Sequence, residues 1–224
     1  VAPWAQILLW WAAFTLTHTI PSSTRLRPRL IRRLGTNGFL GLYSLLALAT
    51  FVPVVVIYFG HRHSGALLWN LRTVALVDWG AWALSWAAWT LAIAALVQPS
   101  PVSLGGAGSV HAKGITRITR HGLFVGLGLW ALAHLALNGA ASDVAFFGGF
   151  AIFAVVGTLH QDARKRATAP ELRTLYRETS VVPFAAIIDG RTPLVASELS
   201  WFTLAAACVA AYGLYALHPW LFGS

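Results

Sequence analysis

An all-α, polytopic membrane helical bundle is the fold class this sequence predicts, with about six transmembrane helices and a short re-entrant or interfacial segment before the last. Three observations carry that prediction. Of 224 residues, 57% are hydrophobic and only 10% charged, where soluble domains carry roughly 25% charged residues. The apolar residues fall in blocks close to the ~20 residues a spanning helix needs. The basic residues crowd alternate connections between those blocks. The same composition excludes an ordinary soluble domain, a disordered chain and a disulfide scaffold, since Cys208 is the lone cysteine.

The blocks follow in order. Pro3 to Ile20 is uncharged when His18 is neutral, and Leu34 to Gly60 holds no Asp, Glu, Lys or Arg. Val74 to Val97 is interrupted only by Asp78, which fits either an interfacial or a pocket position. Gly122 to Leu137 is uncharged, Val144 to His160 is shorter and contains glycine, and Leu199 to Phe222 is the last. Between the fifth and sixth blocks, Ser180 to Ile188 (SVVPFAAII) is too short to span and suits the membrane boundary. Asp189 and Arg191 are placed to pin it. Residues 98–113 form a Pro- and Gly-rich loop. The first block lacks a basic leader segment and so does not read as a signal peptide. Residues 1–224 read as one transmembrane domain without internal repeats, which disfavours an inverted-repeat transporter.

Charge sets the expected orientation. Fourteen of the sixteen Lys and Arg residues lie in the first, third and fifth connections, and only Arg62 and Arg72 lie elsewhere. By the positive-inside rule this puts both termini outside. The +9 net charge is then a topological signal rather than a nucleic-acid patch. Fourteen Arg against two Lys suits a bacterial chain and hence the bacterial inner (cytoplasmic) membrane. The implied partner is the lipid bilayer.

Eight histidines stand out in so uncharged a chain. His18 and His134 lie within apolar blocks, where ionisable groups tend to line functional interiors. The others sit at edges and connections; His61 and His63 read as an interfacial cluster and His218 as an anchor beside Trp220. A lone buried histidine is ordinarily helix glue. Two on separate helices also suit axial ligation of haem iron. His134 shares a helix face with Trp130 and Gly126, a flat wall beside a gap, and Arg117 and Arg120 are cations available to propionates. Gly122 and Gly126 form a GxxxG whose plainer reading is close helix packing.

Several stretches resemble one family. GITRITRHG (114–122), WALAHLALNG (130–139), TSVVPFAAIIDGR (179–191) and YFGHRHSGALLW (58–69) are similar to the NnrU family and its plant and cyanobacterial relatives, the 15-cis-ζ-carotene isomerases. The resemblance implies a polytopic protein binding haem b through a histidine pair, which falls here on His18 and His134. It further implies isomerisation of a 15-cis polyene without net redox change. The NnrU branch implies an alternative: a non-catalytic haem-bearing accessory or sensor protein linked to nitrite and nitric oxide reduction. Departures from the pattern are Gly122 in place of a proline, Ala131 in place of a cysteine, and Phe153 in place of a histidine. One physical conflict accompanies the pair. At a rise of 1.5 Å per residue the depths of His18 and His134 differ by roughly 10–15 Å, which keeps His121 as an alternative partner.

Overall fold

The computed structural model describes residues 1–103 and 108–222; the middle of the expected glycine-rich loop, 104–107, lies outside them. Its helices are α1 (Pro3–Thr19), α2 (Leu26–Gly60), α3 (Ala75–Val97), α4 (Ile115–Ile118), α5 (Gly122–Leu137), α6 (Ala141–Thr168), α7 (Arg173–Glu178), α8 (Ala185–Ile188) and α9 (Trp201–Phe222). Apart from an isolated bridge between Leu67 and Ala140, the described residues form no β pairing.

Local chemistry explains the boundaries. Pro3 opens α1 at a position where its missing N–H costs nothing. Gly35, at φ 70° and ψ 167°, breaks α2 and divides an arginine-bearing first segment from the apolar stretch that follows. Glycine alone takes such angles freely. Asp78 and Asp143 sit in the first turns of α3 and α6, where a carboxylate meets the positive end of the helix dipole.

Among the described residues four helices, α2, α3, α6 and α9, are long and apolar enough to cross a membrane. The other two apolar helices are shorter, at 17 residues for α1 and 16 for α5. They rise about 24–26 Å, against a hydrocarbon core of ~30 Å. The expected boundary segment is too short to cross. It makes a turn into α8, with Phe184 bonded through its N–H to Ile118 O and Arg191 pairing with Asp189 at 3.1 Å.

The long helices pack side by side in the order α2, α1, α6, α5, α3, α9. The main core lies where α1, α2, α5 and α6 meet, around Ile7, Trp11, Phe14, Val54, Tyr58, Phe146 and Phe147. Between α3 and α5 the seam is made of small residues. A Cβ on Gly122 would stand 2.6 Å from Ala95 Cβ, and one on Gly126 would stand 2.6 Å from the Ala88 carbonyl oxygen. The GxxxG is therefore a packing seam. Gly126→Val is expected to lower stability by about 1–3 kcal/mol, the usual overpacking cost, read as a drop in the thermal unfolding midpoint in detergent; an unchanged midpoint would show that α5 can shift away from α3.

Candidate functional site

The two ends of the bundle carry different chemistry. At one end the C-terminus of α5 brings His134 between Trp130 (ring centres 4.8 Å) and Phe147 (4.7 Å). His134 Nδ1 lies 3.0 Å from the Trp130 carbonyl one turn earlier. Donation from Nδ1–H leaves the lone pair on Nε2, the arrangement of a metal-ligating imidazole. The His218 ring of α9 stands 6.3 Å away at an interplanar angle of 40°, with Trp82 edge-on at 5.8 Å. Arg72 donates to Asn138 Oδ1 at 2.5 Å and lies within electrostatic range of both imidazoles.

Beside them Asp143 is buried and accepts from Tyr58 OH and His63 Nδ1, each at 3.0 Å. Sequence patterning missed this group. Asp143 lies one residue before an apolar block, and His63 sits in a connection whose polar character needed no explanation. The only signal was that Tyr58 and His63 fall within one motif stretch, 58–69. His218 was equally plain in sequence, as an interfacial anchor.

His18 occupies the arginine-rich end, at the C-terminus of α1. Its ring packs on Tyr43 (4.7 Å), Phe14 (5.0 Å) and Phe153 (5.5 Å). Its Nδ1 is buried without a hydrogen-bond partner among the described residues. Nearby, Ser22 Oγ pairs with His160 Nε2 at 2.8 Å.

At the same end His121 is fully buried, with Nε2 2.6 Å from Asp162 Oδ1. Arg120 donates to Asp162 Oδ2 from Nε at 3.0 Å, and to the Thr179 carbonyl. Arg117 is bound to Glu198 by two bonds of 2.7 and 2.8 Å and also reaches Thr192. The Glu198 carboxylate raises the Arg117 pKa, and the guanidinium in turn holds the Glu198 carboxyl at about 2. The stability this adds is complete above the ordinary glutamate range and is lost as pH falls from there toward about 2. Both cations expected to meet propionates are thus engaged with carboxylates. Arg120, through the Thr179 and Ser180 carbonyls, joins TRHG to TSVVPFAAIIDGR, so two of the motif stretches form one physical unit.

Between the ends lies an apolar groove of about 240 Å³ among α1, α2, α5 and α6. Trp11, Phe51, Phe124, Phe150 and Phe153 wall it, and the exposed Leu48 stands at its rim. Trp11 can lie where it does because position 149 is glycine; a Cβ there would stand 2.1 Å from the indole Nε1.

The haem b expectation is tested by these donors. His134 fits, with a fixed tautomer and flat aromatic walls. The pair does not come together: His134 meets α6 at Phe147, whereas His18 meets it at Phe153. Six residues of helix separate those contacts, about 9 Å. Trp11 and Phe150 fill the interval, with ring centres 4.8 Å apart. Nor does His121 come near His134, and its Nε2 is committed to Asp162.

A family model described as NnrU protein matches residues 6–224. The chain is 28% identical over 219 residues to a 15-cis-zeta-carotene isomerase, chloroplastic, of Zea mays, covering 95% of this chain and 59% of that protein. It is 26% identical over 233 residues to the protein of the same description from Arabidopsis thaliana, covering 100% of this chain and 62% of that one. The chain therefore spans about three-fifths of the length of these relatives. No solved structure matches it.

Proposed function

This chain belongs to the NnrU family, and from that premise we propose that it is a haem-b-binding integral membrane enzyme that turns a 15-cis double bond of a long polyene to trans without net redox change. The observation that carries the reading is the groove. Its lining of Trp11, Phe14, Ala47, Leu48, Phe51 and further rings contains no acid, base or nucleophile. A cis-to-trans change adds and removes no atom and no proton, so it asks for no such group. Similarity to two 15-cis-zeta-carotene isomerases supports the same substrate class.

The chain's own residues would act by shape. Trp11 and Phe150 stand edge to face at 4.8 Å, and Phe14 and Phe153 are tilted at 4.8 Å. Rings so arranged hold a flat conjugated chain in one plane and keep water from it. His134 offers Nε2 to iron at one end of this wall. Haem, when bound, supplies an iron centre able to weaken the double-bond character of a neighbouring polyene. In this reading all six long helices cross a bacterial inner membrane with both termini outside, and Ser180–Ile188 lies at its boundary. Exposure of Val182, Phe184 and Ile188 supports that placement.

The test is expression in cells that accumulate 9,15,9′-tri-cis-ζ-carotene. The expected result is loss of the 15-cis bond, and Leu48→Trp, which fills the groove, is expected to slow it about tenfold, or ~1.4 kcal/mol. Unchanged carotenoid in cells that make the protein in their membranes would overturn the proposal, and a growth defect on nitrite in its absence would then favour the accessory role.

A further inference from the structure

We infer that Arg27 and Arg164 form a binding site for a phosphate group, carried by an anionic phospholipid at the arginine-rich end of the bundle. The inference rests on the placement of that end at a membrane boundary, and it needs neither haem nor isomerase activity. The break at Gly35 sets Arg27 over the end of the bundle. Along a straight helix the backbones of Arg27 and Phe39 would stand about 18 Å apart. Across the break, Arg27 Cζ lies 5.5 Å from the centre of the Phe39 ring, which stacks on Tyr43 at 5.6 Å. Tyr43 donates to the His18 carbonyl at 2.7 Å and lies within electrostatic range of both Arg27 and Arg164. The two guanidiniums act on each other as well.

No acid among the described residues balances this pair. Arg27 and Arg164 are half-buried, and neither forms an ion pair among the described residues. Asp162 is taken by Arg120 and His121, and Glu171 acts on Lys165. Arg164 Nε is buried without a hydrogen-bond partner among the described residues, whereas buried polar atoms are normally paired. Like charges held together repel, and an anion between them reverses the sign of that interaction. A phosphate has oxygens enough to accept from both guanidiniums at once, in the planar two-bond geometry that arginine favours. Its source follows from the flanks. Leu34, Leu40, Leu45 and Leu48 are exposed along α2 from this point to the rim of the groove, a path for the acyl chains of a bound lipid.

The experiment uses the full chain in a neutral detergent and reads its thermal unfolding midpoint as phosphatidylglycerol is added. The expected result is a saturable rise of about 3–5 °C, with a single lipid retained in native mass spectrometry. Diacylglycerol, which lacks the phosphate, is expected to give no rise. Arg27→Gln and Arg164→Gln are each expected to weaken the response about tenfold or more. Arg29→Gln and Arg33→Gln, which remove the same charge from exposed positions, are expected to leave it. Without lipid, Arg164→Gln is expected to unfold no lower than the wild type, because it removes a repulsion. A lower midpoint there would make Arg164 a structural residue and overturn the site. Equal weakening by Arg33→Gln would reduce the effect to diffuse surface charge and overturn it too. The same rise with inorganic phosphate alone would overturn the lipid as its source.

Discussion

Replacing Asp162 with asparagine is expected to cost about 3–5 kcal/mol, the penalty for breaking a buried ion pair from one side. Asp162 receives three bonds from Arg120, at 3.3, 3.0 and 2.5 Å, and one from His121 at 2.6 Å. The Arg120 and His121 side chains are 8% and 0% exposed. Without the carboxylate, the guanidinium stays buried with no counter-charge and the imidazole loses its hydrogen-bond partner. Because Arg120 also holds the Thr179 and Ser180 carbonyls, the loop from 179 to 191 is expected to loosen. Glu198→Gln provides the comparison. The Arg117–Glu198 pair is partly exposed, where solvent screens such pairs and they contribute little. The check is the thermal midpoint of both variants in one detergent. Asp162→Asn no less stable than Glu198→Gln would mean that water replaces the carboxylate.

Gly149→Ala is expected to produce a comparable loss by another route. Its new Cβ would meet three atoms of the Trp11 indole at 2.1–2.3 Å. Trp11 is 4% exposed and packed edge to face on Phe14, Phe51 and Phe150, so it cannot turn aside locally. About 2–4 kcal/mol is the expected cost, at or above the usual range for overpacking, together with loss of the proposed isomerase activity as the groove wall moves. The cause is separable from the effect. Trp11→Ala alone is expected to cost about 3–5 kcal/mol by leaving a cavity. In its presence, adding Gly149→Ala is expected to cost almost nothing. Additive losses in that double variant would show that the clash with Trp11 is not the source.

Much of the fold was legible in hydropathy. The block from Gly122 to Leu137 is α5 to the residue, and Pro3 to Ile20 differs from α1 by one position. Lengths and caps are local properties, and local properties are written in order along the chain. Partnership is not. Asp162 lies beside the run Arg164-Lys165-Arg166, where an acid looks like ordinary charge balancing, yet it is the hub of a buried network. His218 looked like an interfacial residue because nothing in α9 announces that its last turn meets the last turn of α5. The one three-dimensional quantity that sequence does contain is depth, through the fixed rise of a helix. It warned correctly that His18 and His134 stand at different levels.

The apolar groove with Leu48 at its rim has a further consequence. An aqueous pocket draws an oily ligand by releasing water from it. A recess that opens on hydrocarbon has no such advantage, because lipid tails are as apolar as leucine. An acyl chain and a polyene leave the same solvent at the same cost, so a groove with the proposed function would choose between them by rigidity. Flexible tails lose conformational freedom among these rings; a conjugated chain has little to lose. Affinity here is best expressed as a mole fraction against bulk lipid, and it should fall more steeply with saturation of the ligand than with its length.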